Sequence, residues 1–332
     1  MTEYHTHKAI CKRKECYRSF CNLETSIPIF SQSWWLDIVC GSDHWDVILV
    51  KKENDILASF PYFQVKSRYN LKIITMPVLT QKMGIYIKYP ENLTTSSRLI
   101  LEKSIYNEII DKLPSYDYFD VNLDHKYLNW LPFYWRGFKQ TTQYTYLVED
   151  LSNMETVLKN FGSGKKNDIK KATNQVSIGF DMSPQKFIDF YKKSLQKQNK
   201  ELSYSETLFF QLCSEAIIRK QGEIIFAKDG DENIHGAIFY VWDNECIYNL
   251  VTAFDPEYRS SGASSYLFLQ IMEKFSVQNL KFDFEGSMME NIEQSYNRFG
   301  TVQKMYFRIF KANSKKYRLI TGLKEIEETL FH

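Results

Sequence analysis

The chain has 332 residues, 44% apolar and 16% aromatic, which suits about two cored domains and argues against disorder. Its formal net charge is only +2, so any nucleic-acid partner must rest on a local basic patch. No stretch approaches the roughly 20 apolar residues of a membrane-spanning helix, and six cysteines do not make a disulfide scaffold at this length.

The N-terminal MTEYHTHKAICKRKEC is basic but lacks a following apolar core, unlike a secretory leader, so reduced thiols and a cytoplasmic location are expected. His5, His7, Cys11, Cys16 and Cys21 are not spaced like the close pairs of a structural zinc site, and no metal site is expected. Cys16 and Cys21 fit a helix with Tyr17 and Phe20. Ser31 reads as the cap of a helix carrying Trp34, Trp35, Ile38 and Val39, ended by Gly41. Runs rich in β-branched and aromatic residues predict strands at 45–51, 56–65 and 71–76. Apolar spacing predicts a helix over 95–113, closed by Pro114, then strands at 116–123 and 141–148.

Near Glu149 the pattern restarts. Ser152 and Glu155 form a capping box for a helix to Asn160. A lysine-rich helix, 165–175, precedes a strand at 176–181. Ser183 and Pro184 then open a helix with Phe187, Ile188, Tyr191 and Leu195 on one face. After a helix at 205–220 come strands at 223–228, 234–242 and 245–254, joined by Asp229-Gly230 and Asp243-Asn244 turns. The remainder reads helix 262–278, strand 280–285, helix 290–299, strand 301–311 and helix 314–330. The expected organisation is two α/β domains, 1–145 and 146–332, each a mixed, mostly antiparallel sheet flanked by helices.

Three segments can carry chemistry. Arg259, Ser260, Ser261, Gly262, Ala263 and Ser264 form a small-residue turn between a strand and a helix. Such a turn exposes unpaired N–H groups at a positive dipole end and suits a phosphate, although the same composition also serves a plain tight turn. In Phe282-Asp283-Phe284-Glu285, period-two alternation puts both carboxylates on one face, where either can act as a general base or simply face solvent. Lys165, Lys166 and Lys171 sit in a basic stretch able to meet phosphates, though such runs are usually solvated helix faces. His125 and His235 have no visible partner, and no Walker loop, zincin motif or nucleophile elbow is present.

The stretches AFDPEYRSSGASSYL, FDFEGSM before a helix ending Arg298-Phe299-Gly300, and NFGSGKKNDIKKA resemble the GNAT acyltransferase fold, in its FemAB-like and BioF2-like branch. The resemblance covers about 145–312, and SQSWWLDIVCG and LTQKMG look like the partner domain of that architecture. It implies two tandem GNAT-like domains and an acyl-CoA loop of the form Arg/Gln-x-x-Gly-x-Gly/Ala. Arg259 and Gly262 fit that form, while Ser264 stands where Gly or Ala is usual. It further implies no permanently bound cofactor. The first expectation is an N-acyltransferase in which an amine directly attacks a thioester of CoA or a carrier, with Asp283 or Glu285 relaying the proton. Residues 259–264 would hold phosphates, and N–H groups near the end of strand 245–254 would polarise the carbonyl. FemAB relatives instead use aminoacyl-tRNA to extend a peptidoglycan precursor, with Lys165, Lys166 and Lys171 on phosphates. A catalytically silent binding module is the third reading.

Overall fold

The computed structural model describes residues 2–322, with side chains from residue 12 onward. In chain order the elements are α1 (Thr2–Leu23), α2 (Ser33–Cys40), β1 (Trp45–Lys52), β2 (Asp55–Lys66), β3 (Lys72–Thr75), β4 (Tyr86–Ile87), α3 (Thr95–Asp111), β5 (Tyr118–Asn122), α4 (Leu131–Trp135) and β6 (Lys139–Val148). There follow α5 (Met154–Asn160), α6 (Ser163–Ala172), β7 (Ser177–Gly179), α7 (Pro184–Gln196), α8 (Glu206–Ile218), β8 (Gly222–Lys228), β9 (Ile234–Trp242), β10 (Cys246–Phe254), α9 (Ala263–Lys274), β11 (Lys281–Asp283), α10 (Glu290–Asn297) and β12 (Val302–Ala312). The helix expected over 314–330 begins at 315, and its part beyond 322 lies outside the described residues, as do the side chains of His5, His7 and Cys11.

Two compact units divide the chain. One joins Met1–Gln143 to Met305–His332, and the other is Tyr144–Lys304. The second unit therefore ends earlier than position 332. The reason is strand pairing: β12 lies antiparallel to β5 from Arg308↔Asn122 to Ala312↔Tyr118. Arg308 Nε and Nη2 grip the Asp120 carboxylate at 2.7 and 2.6 Å, a two-pronged contact that fixes this register.

In the first unit, β1, β2 and β3 form an antiparallel meander. β3 then pairs parallel with β5 after the α3 crossover. Its core gathers Phe60, Ile74, Ile105, Tyr106, Phe119, Val121, Phe133 and Ile309. The second unit repeats the scheme. β7, β8, β9 and β10 are antiparallel neighbours. After the α9 crossover β11 lies parallel to β10. Antiparallel to β11 runs β6, with Phe282↔Val148 and Asp283↔Leu147 in register. In each unit a strand pairing antiparallel on the outer side of the parallel pair, β12 or β6, comes from the far end of the unit's sequence.

Local chemistry sets several boundaries. The Ser183 side chain accepts from Lys186 N at 3.2 Å and Pro184 occupies the first turn of α7, as its sequence predicts. The capping box expected at Ser152 is displaced by one residue, because Asn153 takes the Thr156 N–H at 3.0 Å. Asp229 Oδ1 accepts from the backbone N–H groups of Asp231 and Asn233 at 3.0 and 2.9 Å, closing the β8–β9 loop. Phe268, Phe282, Phe284 and Phe299 pack with ring centroids 4.8–6.0 Å apart. Each such ring pair adds about 0.5–1.5 kcal/mol beyond burial, and together they anchor the end of β11.

Candidate active site

The site in the second unit begins with a strand that outruns its neighbour. β10 pairs with β11 only at Cys246↔Lys281, Ile247↔Phe282 and Tyr248↔Asp283. A bulge then shifts its register against β9 between Asn249 and Val251, and β10 continues to Phe254. Among the described residues no strand covers its β11-facing edge over Asn249–Phe254. A bulge re-aims side chains and ends pairing, and an uncovered edge suits an extended ligand with amide groups.

At the top of this opening β11 turns away. The expected strand 280–285 stops at Asp283, and Glu285 adopts a left-handed φ of 53°. The two carboxylates therefore do not share a strand face. Asp283 is fully buried. Thr145 Oγ1 donates to its Oδ1, and Glu285 N donates to the same oxygen at 2.8 Å. Thr145 Oγ1 also accepts from Gly286 N at 3.0 Å, so one hydroxyl ties the turn to β6. A β-carbon on Gly286 would lie 1.8 Å from the Tyr144 carbonyl oxygen, which explains the glycine. Asp283 is thus a buried anchor, and Glu285 is the partly exposed carboxylate. Beside it stands Tyr296 of α10, its ring tilted 35° against that of Phe284 with centroids 4.7 Å apart. Burial first, then the Glu285 carboxylate, pushes the Tyr296 phenol up to about 12. Asn249 Nδ2 reaches Tyr296 Oη and the Phe284 carbonyl, both at 3.4 Å.

The small-residue turn lies at the other end of β10. Residues Pro256–Ser261 form a 3-10 helix capped by Asp255, whose side chain accepts from Glu257 N at 3.0 Å. Gly262 follows at φ 79° and caps α9. A β-carbon there would sit 2.2 Å from the Asp168 carbonyl oxygen of α6, so this glycine serves helix packing. The Asp168 carboxylate accepts from Ser265 Oγ at 3.3 Å and places a negative charge at the α9 N-terminus. Ala263 N donates to Ser261 Oγ at 3.2 Å. The first α-helical bond is Tyr266 N to Gly262 O, which leaves the Ser264 and Ser265 N–H groups ahead of the helical ladder. A cavity of about 520 Å³ opens here, lined among others by Thr252, Phe254, Arg259, Ser261, Ala263 and Ser264.

Residues 171–290 match a family model described as an acetyltransferase (GNAT) domain. Over those residues the chain is similar to a GNAT domain. No curated protein sequence is a significant match. The fold is similar to FemX, with TM-score 0.64 at 9% identity over 89% of this chain and 95% of that one. A conserved protein of unknown function from Bacteroides thetaiotaomicron is similar at TM-score 0.55 and 12% identity, covering 89% and 96%. L-PGS from Bacillus licheniformis reaches 0.52 at 11% identity, covering 87% and 90%. At these identities the likeness is one of fold.

In this GNAT-like unit, the sequence-predicted residues separate into groups. Arg259, Ser261, Ala263 and Ser264 line the cavity. Ser260 gives its carbonyl to Lys171 Nζ at 2.5 Å, so Lys171 does reach the turn, as a clamp on its backbone. Lys165 packs over the Phe299 ring at 4.4 Å and donates to Ser295 Oγ at 3.0 Å. Burial lowers its pKa. Lys166 bonds the Lys159 carbonyl at 2.9 Å. Two residues escaped sequence reasoning. Asn249 left one signal, a polar side chain inside the apolar run CIYNLVTAF, and Tyr296 left none, because its neighbours are joined only by the fold. His235 also gains partners: its ring lies 4.0 Å from that of Tyr258, and its Nε2 is 3.2 Å from Asp229 Oδ2.

Proposed function

We propose that the chain is an N-acyltransferase that moves an acyl group from an activated donor, a thioester of CoA or of a carrier, to an amine. The observation that carries this reading is the parting of β10 from β11 after Tyr248↔Asp283. The donor's amide-bearing arm lies along the uncovered β10 edge, and its phosphates meet Arg259 and the Ser264 N–H. The amine nitrogen attacks the carbonyl carbon, the carbon–sulfur bond breaks, and no covalent enzyme intermediate forms. Glu285 takes the proton lost by the amine, directly or through water. The Tyr296 phenol, held neutral in its buried site, gives a proton to the departing thiolate. Asp283, the other carboxylate of this segment, instead fixes the Glu285 turn by accepting from Glu285 N. The acceptor is a small-molecule or cell-wall-precursor amine in a cytoplasmic setting. Among the described residues no helix is long and apolar enough to cross a membrane.

Turnover of acetyl-CoA and longer acyl-CoAs with an amine panel tests this, together with Glu285→Gln. A loss of about 100-fold in kcat at an unchanged melting temperature is expected. Full activity in Glu285→Gln sinks the assignment of the base.

One observation favours a second donor class. Asp168 already sets a carboxylate at the α9 N-terminus, where a CoA pyrophosphate would bind. In an aminoacyl-tRNA-dependent transferase of FemAB type, the same attack would expel a ribose hydroxyl. Donor binding would then weaken steeply with salt, whereas acyl-CoA binding would not. If neither donor class turns over with any amine, both transferase readings fail and a silent binding module stands.

A further inference from the structure

A separate cavity of about 500 Å³ lies in the first unit, lined chiefly by Tyr118, Lys139, Phe310, Lys311, Tyr317 and Arg318. Its wall holds three cations and, among the described residues, no carboxylate. The nearby acids are engaged elsewhere. Asp120 is gripped by Arg308 through both carboxylate oxygens, and Asp117 accepts from Lys72 N at 2.7 Å. Arg136, whose carbonyl accepts from Lys311, spends its guanidinium on Asp111 at 2.8 Å. Lys139 and Arg318 have no ion-pair partner among the described residues.

Three cations at a strand end can simply be a solvated surface. Lys311 argues against that here. It is drawn inward, lies 4.9 Å over the Phe138 ring and donates to the Arg136 carbonyl at 2.7 Å. Burial lowers its pKa, and the neighbouring Arg136 charge lowers it further. Three cationic side chains open on one cavity whose lining, among the described residues, offers no carboxylate, which suits an anion. Beside the cations, Tyr118 and Tyr317 stack with centroids 4.4 Å apart and planes 6° from parallel. This makes a flat aromatic wall next to an anion site. The volume falls within the range of small-ligand pockets.

We propose that this cavity binds a small phosphate ester carried on a planar ring, of nucleotide type. Its phosphates would engage Lys139, Lys311 and Arg318, and its ring would pack on Tyr317 and Phe310. The site is independent of the transferase reading, because it uses none of those residues.

The test is titration of the full chain at fixed salt with a nucleoside diphosphate, inorganic pyrophosphate and a short RNA oligonucleotide. The variants are Lys139→Glu combined with Arg318→Glu, and Arg259→Ala. Both exchanged side chains of the double variant are exposed, so its melting temperature should match wild type. The expected result is nucleoside diphosphate binding tighter than pyrophosphate, weakened about 100-fold in the double variant and unchanged in Arg259→Ala. Unchanged binding in the double variant overturns the proposal, as does loss confined to Arg259→Ala, which would put the ligand in the GNAT-like unit's cavity. An oligonucleotide that binds more tightly than the nucleoside diphosphate through the same residues also overturns it, in favour of RNA.

Discussion

Replacing Gly262 with alanine separates two meanings of the small-residue turn. A glycine there can make room for a ligand phosphate or for the protein's own backbone. The structure assigns it to the backbone: φ is 79°, and an added β-carbon would lie 2.2 Å from Asp168 O and 2.7 Å from Asp168 C. The left-handed conformation costs alanine about 1–2 kcal/mol. The overlap is with a helix backbone, which cannot swing aside as a long side chain can, and overpacking of this kind costs about 1–3 kcal/mol more. The sum is about 2–5 kcal/mol, or a fall in melting temperature of roughly 5–15 °C for a unit of this size. Gly230→Ala is the control. Its added β-carbon meets nothing within 4 Å, so it should melt within about 2 °C of wild type. Thermal unfolding followed by circular dichroism reads both. A Gly262→Ala protein that melts with wild type and loses only donor binding would refute the packing argument and return this glycine to the ligand.

Three other outcomes follow from the same geometry. Thr145→Val keeps the side-chain shape but strips a hydrogen bond from buried Asp283 and an acceptor from Gly286 N. It should lower unfolding free energy by about 2–4 kcal/mol in urea titration, and a change below about 0.5 kcal/mol would show that the hydroxyl does not hold the turn. Burial, then the Glu285 carboxylate, raises the Tyr296 phenol above its ordinary value to about 12. Its contribution is present in full below the unfolded pKa and is lost as pH rises through the folded one. The stability curve should therefore fall across that alkaline window and fall less in Tyr296→Phe. Asp168→Asn keeps a hydrogen-bonding partner for Ser265 while removing the charge from the α9 N-terminus. If acyl-CoA is the donor, its affinity should rise about two- to five-fold, and unchanged affinity means that no phosphate reaches that helix end.

Much of the second unit was legible because its signals are local. The Ser183-Pro184 start of α7 and the Asp229 turn rest on residues a few positions apart, and both appear as read. The failures share one cause. Alternation in Phe282-Asp283-Phe284-Glu285 correctly buries both phenylalanines, but it cannot register that β6 delivers Thr145 from 138 positions away to bind Asp283. Once that bond forms, Asp283 is locked inward, the strand ends, and Glu285 is released into a turn. The lysine stretch hides its contacts in the same way: its charge does not announce that Lys165 meets Phe299 and Ser295 or that Lys171 meets the Ser260 carbonyl.

The two units also suggest why their sequences show no repeat. Both place a parallel pair after an antiparallel meander, β3 with β5 and β10 with β11, and both carry Phe-Asp at the matching place, Phe119-Asp120 and Phe282-Asp283. The two aspartates then diverge in partner: Asp120 meets Arg308 of β12, and Asp283 meets Thr145 of β6. The arginine grip leaves a partly exposed ion pair in the middle of β5, which runs on to Asn122, whereas Asp283 is fully buried beneath the Thr145 hydroxyl and the chain turns out at Glu285. In the second unit the chain turns out at Glu285 beside the uncovered edge of β10, so the chemistry is sought there.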